Sequence, residues 1–290
     1  MSPRSAFPPW LKKRVPVQGR IEPVQRIVRE LGLATVCQEA HCPNLGECFS
    51  CGTATFMILG RVCTRRCTFC AVSGGSPAPL DPQEPERVAE ATFRMGLRHV
   101  VVTSVTRDDL PDGGSGQFAR TVACVRDRSG ATVEVLTPDF LGRIEDVDRV
   151  VSARPEVYNH NIETVPRLYP EVRPGADYAR SLRLLEHVAA SGLVTKSGLM
   201  LGLGEAEDEV EAVLEALRGA GCRALTLGQY LRPSPWHHPV VEFVPPECFA
   251  RYERAAREMG FDEVASGPFV RSSYRAGKMA ARLLSTRTAR

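Results

Sequence analysis

Six short apolar runs alternate with helical patterns along most of the chain, and that alternation limits what it can become. The runs are residues 54–62, 99–105, 132–137, 157–163, 195–201 and 224–231. Several are continuously apolar, as strands buried on both faces must be. Between them Val88, Ala91 and Met95 recur at helical spacing, as do Tyr178, Leu182, Leu185 and Ala189, and Val210, Val213, Leu214 and Leu217. Asp81-Pro82-Gln83-Glu84 predicts a helix start, with a cap, a Pro at N1 and a Glu at N3. Residues 21–36 read as a short helix with Val24, Ile27, Val28 and Leu31 on one face, and residues 1–20 as a Pro-rich, basic arm. Strand–helix alternation implies a parallel sheet with right-handed crossovers. Six units are too few to close an eight-stranded barrel. The expected fold is therefore α/β, a partial (β/α)6 TIM-like barrel, with a doubly wound open sheet as the alternative. In both, chemistry belongs at the C-terminal ends of the strands.

The chain has 290 residues and a net charge of +3, with no basic block, so nucleic acid is not the expected partner. The only lysines are Lys12, Lys13, Lys196 and Lys278. No apolar run reaches the length of a membrane span, and the first residues hold no apolar secretory core. A cytoplasmic protein without membrane association is expected. Ten cysteines are many for such a chain. Cytoplasmic thiols stay reduced, so clustered cysteines there read as metal ligands or catalytic groups.

Cys63-x3-Cys67-x2-Cys70 follows the first apolar run directly. Three soft thiolates so close suit an iron–sulfur cluster, or zinc. A structural zinc site takes its fourth ligand from a second close pair, and none follows. Three ligands to a four-iron cluster leave one iron open to bind and activate a small molecule. Cys37-x4-Cys42-x5-Cys48 lies just upstream and reads as a second cluster, or as a zinc site completed by His41; its fourth ligand is not visible locally. Cys51 reads as a neighbouring thiol, and Cys124, Cys222 and Cys248 as small core residues. Thr103, Ser104, Asn161, Glu163 and Gln229 are polar groups at strand ends, on the edge where the cysteine loop emerges. Each could be a satisfied buried polar group, but together they look like a pocket. Gly198-Leu-Met-Leu-Gly202-Leu-Gly204-Glu205 runs from strand to helix and would let a flat ligand approach the backbone. His237-His238 reads either as metal-binding or as loop packing beside Trp236. Asp108, Asp109 and Asp112 read either as an acid–base or magnesium site or as turn chemistry around Pro111-Asp112-Gly113-Gly114, with Arg107 near enough to neutralise them.

The cysteine loop at the end of a first strand resembles the radical S-adenosylmethionine (SAM) superfamily. Phe69 supplies the aromatic common before the last cysteine, and Gly198 to Glu205 matches the adenine-side motif GxIxGxxE with Met200 in place of Ile. The upstream triplet narrows the resemblance to lipoyl synthases. So do TSVTRDDLPDGG (103–114), EVLTPDF (134–140), YNHNIETVPRLYPEVRPGADYARSL (158–182), TLGQYLRPS (226–234), HHPVVEFVPPE (237–247) and SGPFVRSSY (266–274). It runs from about residue 8 to residue 276.

That resemblance implies a sulfurtransferase with two 4Fe–4S clusters and SAM. Cys63, Cys67 and Cys70 would hold the radical cluster, whose open iron chelates the methionine moiety. Cys37, Cys42, Cys48 and Ser273, from Arg271-Ser272-Ser273-Tyr274, would hold an auxiliary cluster that donates sulfur. Thr103 and Ser104 would lie near the methionyl amino end. Asn161, Glu163 and Arg173 would hold ribose and carboxylate, and Gly198, Gly202 and Gln229 complete the cofactor pocket. The reaction implied is sulfur insertion at C6 and C8 of a protein-bound octanoyl-lysine, positions that acid–base chemistry cannot open, so the cofactor supplies a radical. Partners implied are octanoylated lipoyl carriers (the acyltransferase subunits of 2-oxoacid dehydrogenases and the glycine-cleavage H protein), flavodoxin or ferredoxin, and iron–sulfur carrier proteins. The loops around Arg232 and Trp236 are a candidate docking surface. Residues 1–52 would form a cluster-binding extension, 53–245 the barrel, and 246–290 a C-terminal extension with the serine ligand. The rival readings are a tRNA methylthiotransferase, a two-cluster electron carrier and a structural zinc module. The auxiliary spacing and the lack of an RNA-binding appendage argue against the first, and the length of the barrel and the open iron against the second.

Overall fold

All six apolar runs become strands, each trimmed where polar residues turn the chain out of the sheet. A computed structural model describes residues 7–13 and 21–288, so the arm over 1–20 lies mostly outside the described residues. The six are β2 (Thr55–Ile58), β3 (His99–Ser104), β4 (Thr132–Leu136), β5 (Val157–Asn159), β6 (Val194–Leu201) and β7 (Ala224–Gln229). They pair in parallel in chain order. Two edge strands extend them. β1 (Ala34–Thr35) runs antiparallel to β2, and β8 (Glu263–Gly267) runs parallel to β7. The sheet therefore has eight strands, with no pairing between β8 and β1 among the described residues. It is the open barrel expected, two strands wider.

The helices are α1 (Glu22–Glu30), α2 (Val36–Glu39), α3 (Leu45–Ser50), α4 (Glu84–Arg94), α5 (Ser115–Ser129), α6 (Ile144–Ser152), α7 (Tyr169–Val172), α8 (Tyr178–Ala190), α9 (Glu207–Gly219), α10 (Pro246–Glu258) and α11 (Ala276–Thr288). Outer-layer helices bury one apolar face each. Val88 of α4 and Phe118, Val122 and Val125 of α5 join the core with Phe56, Val100, Val102 and Val133 of the sheet. Leu185 of α8, Val210, Val213, Leu214 and Leu217 of α9 and Phe249 of α10 do so with Leu199, Leu225 and Leu227. Met279, Ala280 and Leu283 of α11 cluster with Val157, Val194 and Ala224, the first residues of β5, β6 and β7, so α11 plugs the N-terminal end of the barrel.

Two helix boundaries differ from the sequence reading. α1 stops at Glu30 rather than running to residue 36, because Gly32 takes φ +61° and Leu33 N–H bonds back to the Val28 carbonyl at 2.9 Å. That is a Schellman ending. α4 starts at Glu84, with Gln83 as its cap and Pro85 in its first turn. The Asp81 carboxylate instead accepts from Gln83 N–H at 2.9 Å and from Arg87 at 2.6 Å. Glu84 is released to turn inward, and its carboxylate accepts the Leu59 N–H at 2.8 Å.

Candidate active site

The cysteine loop leaves β2 through two left-handed residues, Leu59 at φ +68° and Gly60 at φ +93°. Leu59 bears a steric cost there that glycine would not. Its backbone is held at both ends, by Glu84 on the N–H and by Arg107 Nη1 on the carbonyl at 3.1 Å. Beyond it Cys63 N–H bonds to the Ser73 carbonyl at 2.8 Å and Gly75 N–H to the Cys63 carbonyl at 3.0 Å, closing the loop on itself. Cys63 Sγ accepts the N–H groups of Arg65 at 3.4 Å and Thr106 at 3.3 Å. Hydrogen bonds of this kind help set the potential of a cluster bound there. Arg65 is the loop's anchor, donating to Asp108 and to the fully buried Asp139, each at 2.6 Å.

The remaining acidic residues are spoken for as well. Arg107 forks onto Asp109 at 2.9 Å, and Asp112 accepts from Gly114 and Gly116 N–H at the start of α5. The three aspartates are ion-pair and turn groups. His237 and His238 fasten the far side of the cysteine loop. His237 Nε2 lies 3.0 Å from the Cys70 carbonyl, and His238 N–H donates to the Thr68 carbonyl at 2.9 Å.

Burial pushes the Cys67 thiol up to about 11 and the Cys70 thiol up to about 12. A metal must displace those protons to bind. Among the described residues no three His, Cys, Asp or Glu side chains converge tightly enough to hold a single metal ion. The thiols of a cubic cluster bind at separate corners and stand further apart. The six cysteines of the two triplets are a soft donor set, which suits iron–sulfur chemistry better than a hard ion.

One cavity of about 1370 Å³ is lined by Cys63, Cys67 and Cys70, by Cys37, Cys42 and Cys48, and by Ser273. Thr103, Ser104, Asn161, Glu163, Arg173 and Gly198 line it too. Ser104 Oγ and Asn161 Oδ1 are buried there without a hydrogen-bond partner. Such orphans are costly unless a ligand completes them. Asn161 Nδ2 donates to Glu163 at 3.1 Å, and Arg173 Nη1 donates to the Asn161 carbonyl at 2.9 Å. Burial raises the Glu163 carboxyl against the pull of Arg173. Glu163 is a non-glycine residue at φ +69°, a strained conformation of the sort that clusters at binding sites. Gly198 is required by space: a β-carbon there would lie 2.3 Å from Thr226 Oγ1. A ligand bearing a ribose, an amine and a carboxylate matches these groups in chemistry.

Gly202 and Gln229 do not line the cavity. The fully buried Gln229 donates to the carbonyls of Leu201, Tyr230 and Glu242 and accepts the Val244 N–H at 2.8 Å, so it is saturated by its own loops. Gly202 sits at φ +97° in a turn whose N–H groups, with that of Leu203, are taken by the Glu205 carboxylate. The motif there shapes a turn beside the pocket.

The upstream triplet is built from α2 and α3. Thr35 caps α2, Cys42 N–H reaches the Cys37 carbonyl at 3.1 Å, and Cys48 N–H reaches the Asn44 carbonyl at 2.8 Å. Burial raises Cys37 to about 11 and Cys48 to about 12. The C-terminal segment folds onto this unit. Asn44 Nδ2 donates to the Phe269 carbonyl at 2.7 Å, and Tyr274 donates its hydroxyl to Glu47 at 2.8 Å. Lys13 joins them, 2.6 Å from Glu47 and 5.0 Å above the Phe269 ring. Cys51 is exposed at the cavity rim, whereas Cys222 is core and Cys124 and Cys248 pack against it. Trp236 is 94% exposed, and Arg232 beside it lines the cavity while holding the carbonyls of Pro235 and His237. The sequence reading missed Arg65, Lys13 and Lys196. For Arg65 the signal is a buried-capable guanidinium inside a metal loop; for the lysines it is their scarcity.

The sequence model of the radical SAM superfamily matches residues 57–217. The lipoyl synthase of Caldanaerobacter subterraneus subsp. tengcongensis is 56% identical over 271 residues, covering 93% of this chain and 95% of that one. The lipoyl synthase of Thermus thermophilus is 55% identical, covering 94% and 86%. In fold the chain is similar to methylornithine synthase, with TM-score 0.54, 12% identity and coverage of 85% and 84%. It is likewise similar to SuiB of Streptococcus suis bound to its precursor peptide, with TM-score 0.58, 11% identity and coverage of 77% and 50%. Those two likenesses speak for the barrel. The identity to the first two, sustained along nearly the whole length, speaks for more: the chain belongs to the lipoyl synthase family of the radical SAM superfamily.

Proposed function

We propose that Cys63, Cys67 and Cys70 carry the radical-generating cluster, and Cys37, Cys42, Cys48 and Ser273 the sulfur-donating one. The activity is that of the family: a sulfurtransferase that uses SAM and 4Fe–4S clusters to insert two sulfur atoms, at C6 and C8, into a protein-bound octanoyl-lysine. When bound, these groups supply the electron, the 5′-deoxyadenosyl radical and the sulfur. The observation that carries the residue assignment is the single cavity shared by both triplets, Ser273 and the unpartnered Ser104 and Asn161.

The chain's own part is to bind, orient and shield. Arg65, Arg107 and Glu84 fix the Cys63–Cys70 loop at the strand ends. Asn161, Glu163 and Arg173 present an acceptor, a carboxylate and a cation to the cofactor, with Thr103 and Ser104 beside them; Gly198 leaves room for it. α2, α3 and the segment that follows β8 bring the second ligand set to the barrel, whose sheet takes in β1 and β8 from outside the expected span of 53–245. The substrate arm enters from the carrier protein, for which the exposed Trp236 and the Arg232 loop form the docking surface. A hard serine oxygen among thiolates makes a weak corner, suited to a cluster that is dismantled in turnover. Such an enzyme needs a reductant of the flavodoxin or ferredoxin class and iron–sulfur carriers to rebuild it. No helix among the described residues is long and apolar enough to cross a membrane, and a cytoplasmic site of action suits all these partners.

The test is anaerobic purification and reconstitution, followed by assay with SAM, dithionite and an octanoyl-lysyl peptide. About eight irons per chain and a lipoyl product are expected, as two four-iron clusters require. Cys67→Ala abolishes 5′-deoxyadenosine, whereas Cys42→Ala spares part of it and stops sulfur insertion. Full sulfur insertion by Cys42→Ala would end the donor assignment.

A further inference from the structure

Inside the barrel, beside the cavity that His99 helps to line, lies an ion pair to which the proposed reaction assigns no part. Lys196 of β6 and Glu134 of β4 are each 1% exposed, with Nζ 2.8 Å from Oε1. Asn159 of β5 donates to the same carboxylate at 3.2 Å, and His99 of β3 lies 3.8 Å from its other oxygen. Burial opposes ionisation of Glu134, but Lys196 and His99 outweigh it and hold the carboxyl below its usual range. A buried pair is poor evidence for stability, because desolvation consumes most of the attraction. Its place in the barrel points to another role, and the geometry gives one. Lys196 Nζ also donates to the backbone carbonyl of Ser272 at 2.6 Å.

We propose that Lys196, charged and aimed by Glu134, is a positioning residue that sets the Ser273 ligand of the auxiliary cluster. The carbonyl of Ser272 and the N–H of Ser273 belong to one rigid peptide plane. Restraining that carbonyl restrains the plane and leaves the Ser273 oxygen only the rotations about its own N–Cα and Cα–Cβ bonds. The flanks of the segment are held from the other side, at Phe269 by Asn44 and at Tyr274 by Glu47. The centre is held from the barrel, by a charge-assisted bond of the strong class. The buried lysine thus ties the corner that must let go of iron to the rigid sheet. The inference rests on Ser273 being the fourth ligand.

The experiment uses full-length chains in which Cys63, Cys67 and Cys70 are replaced by Ala, so that only the auxiliary cluster is loaded. Iron release to a chelator and the Mössbauer and EPR spectra are read for the parent, Ser273→Ala, Lys196→Met and the charge-neutral pair Glu134→Gln/Lys196→Met. The pair guards against misfolding caused by an orphaned carboxylate. Both Lys196 variants are expected to release iron at least ~10-fold faster, the worth of a charged hydrogen bond, and to show the three-iron signature of Ser273→Ala. Adding Ser273→Ala to Lys196→Met should then change nothing further. With the cysteines restored, Lys196→Met should still cleave SAM at the parental rate. If Ser273→Ala alters the cluster and neither Lys196 variant does, the positioning role is wrong. It is equally wrong if the charge-neutral pair, cysteines restored, loses both clusters alike. If Ser273→Ala leaves the cluster untouched, the ligand assignment itself fails.

Discussion

Replacing Gly228 with Ala should cripple sulfur insertion from a position that bears no reactive group. Gly228 lies on β7 directly under the C-terminal segment. A β-carbon there would sit 2.1 Å from the Val270 carbonyl oxygen and 3.0 Å from its carbon. Carbon–oxygen contacts settle near ~3.3 Å, so the segment must retreat by about 1 Å. The obstacle is backbone, which cannot swing aside as a side chain would, and Ser273 follows three residues later. A displacement of about 1 Å in a reacting geometry costs on the order of 10²-fold in rate. Overpacking itself should cost about 1–3 kcal/mol, lowering Tm by roughly 2–12 °C. Gly219→Ala, at the end of α9 with nothing within 4 Å of its β-carbon, is the matched control. The assay is single-turnover lipoyl formation on an octanoyl-lysyl peptide, with 5′-deoxyadenosine measured alongside. Loss of about two orders of magnitude in product is expected from that displacement, with SAM cleavage persisting. A Gly228→Ala chain that inserts sulfur as fast as the Gly219→Ala control would refute the idea that contact with β7 sets the ligand geometry.

Three further outcomes follow from the same contacts. Arg65→Lys cannot span Asp108 and Asp139 together, so the radical cluster should load poorly and SAM cleavage fall at least ~10-fold, read as iron content and 5′-deoxyadenosine. Gly198→Ala would put a carbon 3.2 Å from Asn161 Oδ1 as well as against Thr226, and should raise the KM for SAM by ~10-fold or more while leaving iron content intact. Burial lowers His160 from 6.5 to about 4. The unfolded chain binds its proton first, so the stabilisation is complete above about pH 6.5 and is lost as pH falls towards 4, in all about 3 kcal/mol. Denaturant titrations of wild type and His160→Gln should converge as the pH is lowered through that window, and parallel pH profiles would contradict the assignment.

The strands could be read from the sequence because burial on both faces forces continuous apolar runs. The edges could not. Ala34-Thr35 is too short to carry a pattern and forms a strand by lying against Phe56 and Met57. Residues 263–267 mix polar and apolar groups, because an edge strand is only half covered. The cysteine triplets could be singled out as candidate ligand sets because such spacing is local, and the fold brings both to one cavity. Gln229 was not, since a polar group at a strand end looks the same whether it faces a ligand or three loop carbonyls. The roles of His237 and His238 were equally hidden: the first ring meets the Cys70 carbonyl and the second the Leu203 carbonyl, and a backbone acceptor leaves no trace in sequence. Lys196 could have been suspected from the apolar strand around it, but its partner lies 62 residues away.

The bond from Asn44 to Phe269 spans 225 residues, and that from Tyr274 to Glu47 spans 227. During synthesis the first ligand triplet is exposed long before the segment that completes its site exists, on the order of 10 s or more at ribosomal rates. Until then three thiols stand ready for whatever metal or oxidant is at hand. On the proposed ligand assignment, filling the sulfur store is therefore a late event in the life of the chain. The order of assembly is written into which stretch of messenger is read last.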